Sequence, residues 1–295
     1  MKMKCLVVKI VVLVSWCHAL PMNRVTDSVA VNEIENNTVD EDYSIDLSSL
    51  GLDVYGFPKE SRHLLSTWNE TSLMNPEEMG EYAEGDILMP PVVMRNGISN
   101  KSKRWKNATI PYLIDGRFKK REQALIQKAI ADYNLLTCVR FVKRSNEKDY
   151  IVFGAENTGC WSTIGRTGGR QEVNLQRPGC ISNKGTVLHE MLHVIGFLHE
   201  QNRPERDDYV TVLYNNVKAG RQNNFFVATT KQVNAFGVPY DYNSVVHYSE
   251  YAFTKDPKKK TIVPKVIIAH VIGQRNGLSW GDVLKVNRMY NCQIK

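Results

Sequence analysis

The sequence predicts an α+β domain in which a cleft separates a strand-rich first lobe from an irregular second one. Three observations predict it. Short apolar runs cluster between Thr109 and Leu175, a helix-like stretch with histidines at helical spacing follows, and regular periodicity fades after Tyr209. At 295 residues with 42% hydrophobic side chains, the chain can bury a core, and it contains no internal repeat.

In order, Thr109–Ile114 (TIPYLI) reads as a strand, and Lys119–Tyr133 places Ala124, Leu125, Ala129, Ile130 and Tyr133 on one helical face. Val139–Val142 and Tyr150–Phe153 are short strand candidates. A glycine-rich stretch, Gly154–Gly169, precedes another at Glu172–Leu175. Thr186–Phe197 is a helix, with Gly185 before it and Gly196 near its end. Beyond Tyr209 the clearest elements are Val210–Tyr214, Thr261–Ile268 (interrupted by Pro264) and the helix-like Trp280–Tyr290.

Ahead of this body lie two other segments. Residues 1–19 combine early lysines, an apolar run from Cys5 to Trp16 and small residues at the end, the pattern of a secretory signal peptide. That run is short for a membrane span, and no later segment approaches one, so the product is expected to be secreted, extracellular and free of membrane. Residues 20–95 carry fifteen acidic against four basic side chains, whereas residues 96–295 carry 31 basic against 16 acidic. An acidic leader before a basic body fits a prosegment lying on the domain it inhibits. The positive residues are scattered and no nucleic-acid motif is present, so nucleic acid is not an expected partner.

Once Cys5 and Cys17 leave with the signal peptide, Cys138, Cys160, Cys180 and Cys292 remain, which predicts two disulfides among three alternative pairings. Asn36, Asn69, Asn100 and Asn107 begin candidate N-glycosylation sequons.

The chemistry is concentrated in His189-Glu190-Met191-Leu192-His193-Val194-Ile195-Gly196-Phe197-Leu198-His199. Residues four apart share a helical face, so His189 and His193 can offer nitrogens to one ion, with Glu190 beside them to reach a water. Gly196 can end the helix in a left-handed conformation and let His199 swing back as third ligand. Three imidazoles leave a zinc ion one open position, the catalytic arrangement, and Glu190 then acts as general base in hydrolysis. A lone histidine is more often a structural residue, but five fixed identities over eleven positions, beginning on a predicted helix, weigh against that reading.

HEMLHVIGFLHEQNRPERDDY resembles the signature of the astacin zinc peptidases, and Ser244-Val245-Val246-His247-Tyr248 resembles the Met-turn of that family. The resemblance runs from about Trp105 to Cys292 and includes CWSTIGRTGGRQEVNL. It implies a two-lobed metzincin fold, with a twisted sheet and the zinc helix in the N-terminal lobe, one Zn2+ and the pairings Cys138–Cys292 and Cys160–Cys180. By position, Tyr248 would ligate zinc at rest and then stabilise the transition state. Glu200 would pair with the mature N-terminal region, and Glu172–Leu175 would be an edge strand that binds substrate. Val246 stands where methionine is expected; the loss of volume predicts a stability deficit of about 1–2 kcal/mol.

Glu84-Gly85-Asp86-Ile87 resembles the end of an astacin prosegment, which makes Asp86 the expected zinc switch. Activation is expected between Arg95 and Asn96, with Lys103-Arg104 as a competing site. Glu190, the three histidines and Tyr248 are all present, which favours an active enzyme over a silent binding relative. The chain stops shortly after Cys292, so specificity is expected from the cleft of a monomer, and Arg166, Arg170 and Lys255 could favour acidic side chains.

Overall fold

The computed structural model describes residues 59–88, 101–230 and 233–293. The expected signal peptide at 1–19, the cleavage point Arg95–Asn96 and the sequons at Asn36 and Asn100 lie outside the described residues. Asn69 and Asn107 are both exposed.

A five-stranded sheet forms the first lobe. Its strands are β1 (Thr109–Ile114), β2 (Arg140–Lys143), β3 (Tyr150–Gly154), β4 (Cys160–Ser162) and β5 (Arg170–Leu175), in the order β2-β1-β3-β5-β4. All neighbours are parallel except β4, which pairs antiparallel with β5. This corrects one expectation: β5, containing Glu172–Leu175, is an inner strand, and Cys160–Ser162 forms the edge. Strand β4 has only three residues within glycine-rich chain, too few for alternation to reveal it.

Helix α1 (Lys59–Thr67) belongs to the N-terminal segment, and helices α2 (Lys120–Leu136) and α3 (Lys184–Ile195) pack together against the sheet. Ile126, Ala129, Ile130 and Tyr133 of α2 are buried with Ile110, Phe141, Ile151 and Phe153 of the strands. The Tyr133 hydroxyl donates to the Leu188 carbonyl (2.8 Å), tying α2 to the middle of α3. Helix α3 is capped by the Asn183 side chain and buried from Gly185 to Ile195. It ends at Gly196, whose φ of 130° is a backbone that side chains oppose, and the chain can turn back toward His199.

The second lobe is mostly short 3-10 turns with one small antiparallel pair, β6 (Val210–Val212) and β7 (Ile262–Pro264). Helix α4 (Trp280–Met289) braces the turn before Tyr248: Asp282 accepts from the Ser244 hydroxyl (2.6 Å) and from the Val245 amide (2.8 Å). Two disulfides close the body, Cys138–Cys292 and Cys160–Cys180. Among the described residues, no helix is long and apolar enough to cross a membrane.

Val246 is fully buried in the main core, and its carbonyl accepts from the Glu200 amide (3.1 Å). A Val246→Met variant is expected to melt at or above the parent temperature, because methionine adds apolar surface at a position that is fully buried in the core. A clear fall in melting temperature would mean that the core has closed around valine.

The competing basic site is engaged. Arg104 donates to the Met289 carbonyl (2.7 Å), and its own carbonyl accepts from Arg166 (3.3 Å). Trp105 is buried, donating from its ring to the Val194 carbonyl (2.8 Å). Arg166, expected as a specificity residue, instead pins this segment and pairs with Asp149 (2.6 Å), while Arg170 pairs with Glu172 (3.2 Å).

Candidate active site

Three histidines and one carboxylate converge where α3 meets the second lobe. Ligand atoms of Asp86, His189, His193 and His199 all lie within 4.8 Å of one another, and all four residues are buried. Each imidazole is oriented by its other nitrogen. Nδ1 of His189 meets the Val245 carbonyl (2.8 Å), Nδ1 of His193 the Phe197 carbonyl (2.6 Å), and Nδ1 of His199 the Glu84 carboxylate (2.7 Å). Each of these Nδ1 atoms therefore donates, and Nε2 is left as the inward-facing ligand atom.

The inward atoms crowd together. His189 Nε2 is 3.0 Å from His193 Nε2 and 2.9 Å from Asp86 Oδ2, which is 3.3 Å from His199 Nε2. Lone pairs and a carboxylate at such range repel unless positive charge sits among them, and ligands about 2.0–2.1 Å from a tetrahedral zinc are about 3.3 Å apart. Burial works against a charge on His199, yet Asp86 and Glu84 raise its ring to about 9. Burial followed by the charge of Arg275 lowers His189 to about 4. The donor set of three imidazoles and a carboxylate thus fits a zinc ion.

Glu190 follows the first histidine on α3 and is fully buried. The Ser162 hydroxyl donates to its Oε2 (2.7 Å), while Oε1 has no hydrogen-bond partner. Burial, together with the charge of nearby Asp86, pushes this carboxyl well above its usual range. Ser162 lies on β4, so the edge strand and the candidate base are joined directly. Sequence reasoning does not single out this serine; only its place in the CWS stretch points to it.

The N-terminal segment threads this site. Glu84 (φ 51°) and Gly85 (φ 94°) make a turn, and a Cβ on Gly85 would lie 2.8 Å from the Phe253 ring. The turn presents Asp86 to the histidines and the Glu84 carbonyl to the Tyr248 hydroxyl (2.5 Å). Beyond it, the chain pairs with β4. The Ser162 amide donates to the Asp86 carbonyl (2.9 Å) and the Leu88 amide to the Ser162 carbonyl (2.8 Å), a parallel bridge. Tyr82 packs on Trp161 of β4, ring centroids 5.5 Å apart, and Glu81 lies 3.7 Å from Arg221. Glu84 as the partner of His199 is likewise invisible in the sequence, although its motif is recognisable there.

Glu200, next to the third histidine, is buried among cations of the body. Lys285 donates to it at 2.6 Å, Arg203 at 2.7 Å and the Asp241 amide at 2.9 Å. Burial opposes its ionisation, but Lys285 and Arg203 hold its pKa below the ordinary value. The N-terminal region expected to meet it lies outside the described residues.

His247 sits under the turn, with Nδ1 donating to the Tyr248 carbonyl (2.8 Å) and Nε2 accepting from Tyr240 (2.7 Å). Burial lowers it to about 4. Because the unfolded chain binds a proton near 6.5 and the folded one does not, this contribution is complete above that pH and shrinks as pH falls. Unfolding free energy is expected to drop by about 3 kcal/mol between pH 6.5 and 4 from this group alone. Urea melts across that range should show a shallower decline for His247→Gln; equal slopes would place the titration elsewhere.

The family model described as Astacin, a peptidase family, matches residues 97–291. Zinc metalloproteinase nas-7 of Caenorhabditis elegans is 39% identical over 221 residues, 75% of this chain and 56% of its own length. Zinc metalloproteinase nas-4 of the same organism is 34% identical over 288 residues, 94% of this chain and 86% of its own. The chain thus spans only about half the length of some curated relatives that it matches. Among solved structures, high choriolytic enzyme 1, a hatching enzyme zinc-protease from Oryzias latipes, aligns with a TM-score of 0.60 at 39% identity, covering 64% of this chain and 94% of that one.

Proposed function

The chain belongs to the astacin family of zinc peptidases, and from that premise we propose that it is a secreted endopeptidase made as a zymogen. The observation that carries this reading is the convergence of His189, His193 and His199 on one point, with Glu190 one residue along the same helix. His189, His193 and His199 would hold the zinc ion, which supplies Lewis acidity toward a water and the scissile carbonyl. Glu190 takes the proton of the attacking water on its free Oε1 and passes it to the leaving amine. The hydrogen bond from Ser162 fixes the other oxygen, so the carboxylate does not rotate away. Tyr248, its ring 4.5 Å from that of His199, would donate its hydroxyl to the developing oxyanion once Glu84 has left.

Substrate binds by adding a strand to β4, the position that Asp86–Leu88 takes here, and not to β5. Residues 20–95 act as the inhibitor, with Asp86 at the metal and Glu84 on His199. The similarity to nas-4 extends over 94% of the chain, so it reaches into this segment. Secretion agrees with the two disulfides and with the sequence of residues 1–19. The test is cleavage of a mixed-peptide library by the chain trimmed after Arg95. Turnover is expected to vanish with a zinc chelator and return on adding zinc; turnover indifferent to chelation would sink the proposal.

A further inference from the structure

We propose that Arg275, Thr186 and Ser249 form a carboxylate-binding site on the body of the protein. The paired acids Glu77 and Glu78 fill it here, and it takes acidic peptide segments once they leave. The proposal rests on the reading of the N-terminal segment as removable.

Glu77 and Glu78 are 0% and 2% exposed, a burial that acidic side chains seldom reach without a partner. Glu77 forms an ion pair with the Arg275 guanidinium and accepts from the Thr186 hydroxyl (3.3 Å). Glu78 accepts from the Ser249 amide (2.5 Å) and the Ser249 hydroxyl (2.7 Å). Asn75 closes the contact by donating to the Gly273 carbonyl (3.0 Å) and to Glu78 itself (3.2 Å). These donors belong to α3, to the chain after Tyr248 and to the loop before α4, all on the body and none on the N-terminal segment.

Arg275 is the residue that makes this a site. Its side chain is only 5% exposed, with Nη1 donating to the carbonyls of His247 (3.2 Å) and Gln274 (2.9 Å) and Nη2 without a partner. Departure of Glu77 removes the carboxylate that pairs with this guanidinium, and a planar fork of this kind pairs with oxyanions, here a carboxylate. A groove of about 1270 Å³ runs on from it, lined by Asn75, Ser249, Gly273, Arg275, Ser279 and Trp280, with room for the residues that flank an acidic pair. The contact is separate from the histidine nitrogens that face inward; Glu77 approaches His189 only from its outer side, 3.7 Å from Nδ1. It therefore anchors the segment at a second point, through atoms other than those that meet Asp86.

In the full chain, a protease site placed between Leu88 and Lys101 allows the backbone to be nicked and release of the N-terminal fragment to be followed by size exclusion. The Glu77→Gln/Glu78→Gln variant is expected to release its fragment at least tenfold faster than the parent at equal zinc content. A synthetic peptide spanning Glu70–Tyr82, which stops short of Asp86, should bind the freed body and lose at least tenfold in affinity when both glutamates are replaced by glutamine. Equal release by parent and variant, or equal binding of both peptides, overturns the proposal. The peptide comparison leaves the protein unaltered, so misfolding of a variant cannot mimic the result. Neither readout uses turnover: a body that binds the peptide but cuts nothing removes the peptidase reading and leaves the site, and the reverse result removes the site alone.

Discussion

Glu190→Gln in the trimmed chain is expected to lower kcat by about 10²–10⁴, the range for loss of a general acid–base group, while zinc content stays at one ion. At 1.36 kcal/mol per tenfold, that is about 3–5 kcal/mol of transition-state stabilisation. Glutamine has nearly the shape of glutamate and its carbonyl oxygen can still accept from Ser162, so the pocket need not rearrange. What it lacks is a basic oxygen at the position of Oε1, the one that has no partner. Steady-state kinetics and metal analysis on the same sample would separate the possibilities. Undiminished turnover would remove Glu190 as the base, and loss of zinc together with activity would make its role structural.

Asp86→Ala is expected to raise the activity of the uncleaved chain by about tenfold or more, because a buried carboxylate 2.9 Å from His189 and 3.3 Å from His199 contributes at least ~1.4 kcal/mol to holding the segment in the site. The rise should remain below that of the trimmed enzyme. Glu84 stays on His199, Asp86–Leu88 stays paired with β4, and Glu77 and Glu78 stay on Arg275 and Ser249. No rise would remove the aspartate as the inhibitory ligand.

The legibility of this molecule follows the physical range of each signal. The pattern predicts a helix over Lys119–Tyr133 and α2 runs Lys120–Leu136, because a long amphipathic pattern tolerates error at its ends. The histidines are readable because ligand spacing on a helix is a local property, and Gly196 announces the turn that follows it. Strand β4 escapes sequence reasoning because three residues show no period, and with it goes the correct sheet edge. The roles of Ser162, Glu84, Glu77 and Glu78 depend on partners 28 to 198 positions away in the chain, which no window on a single sequence contains. Arg166 misleads for the same reason: its positive charge is visible, whereas Asp149 and the segment it pins come into view only with the fold.

The Cys160–Cys180 bond joins the first residue of the edge strand to the turn just ahead of the histidine helix. The shelf that would carry a peptide and the helix that would cut it are therefore stitched together by a linkage that only an oxidising environment lays down. A chain folded in a reducing compartment would lack this covalent tie and leave the shelf to the β4–β5 pairing and the Ser162–Glu190 hydrogen bond, so metal content alone would not certify competence. For anyone producing this protein, the oxidative route is part of the active site.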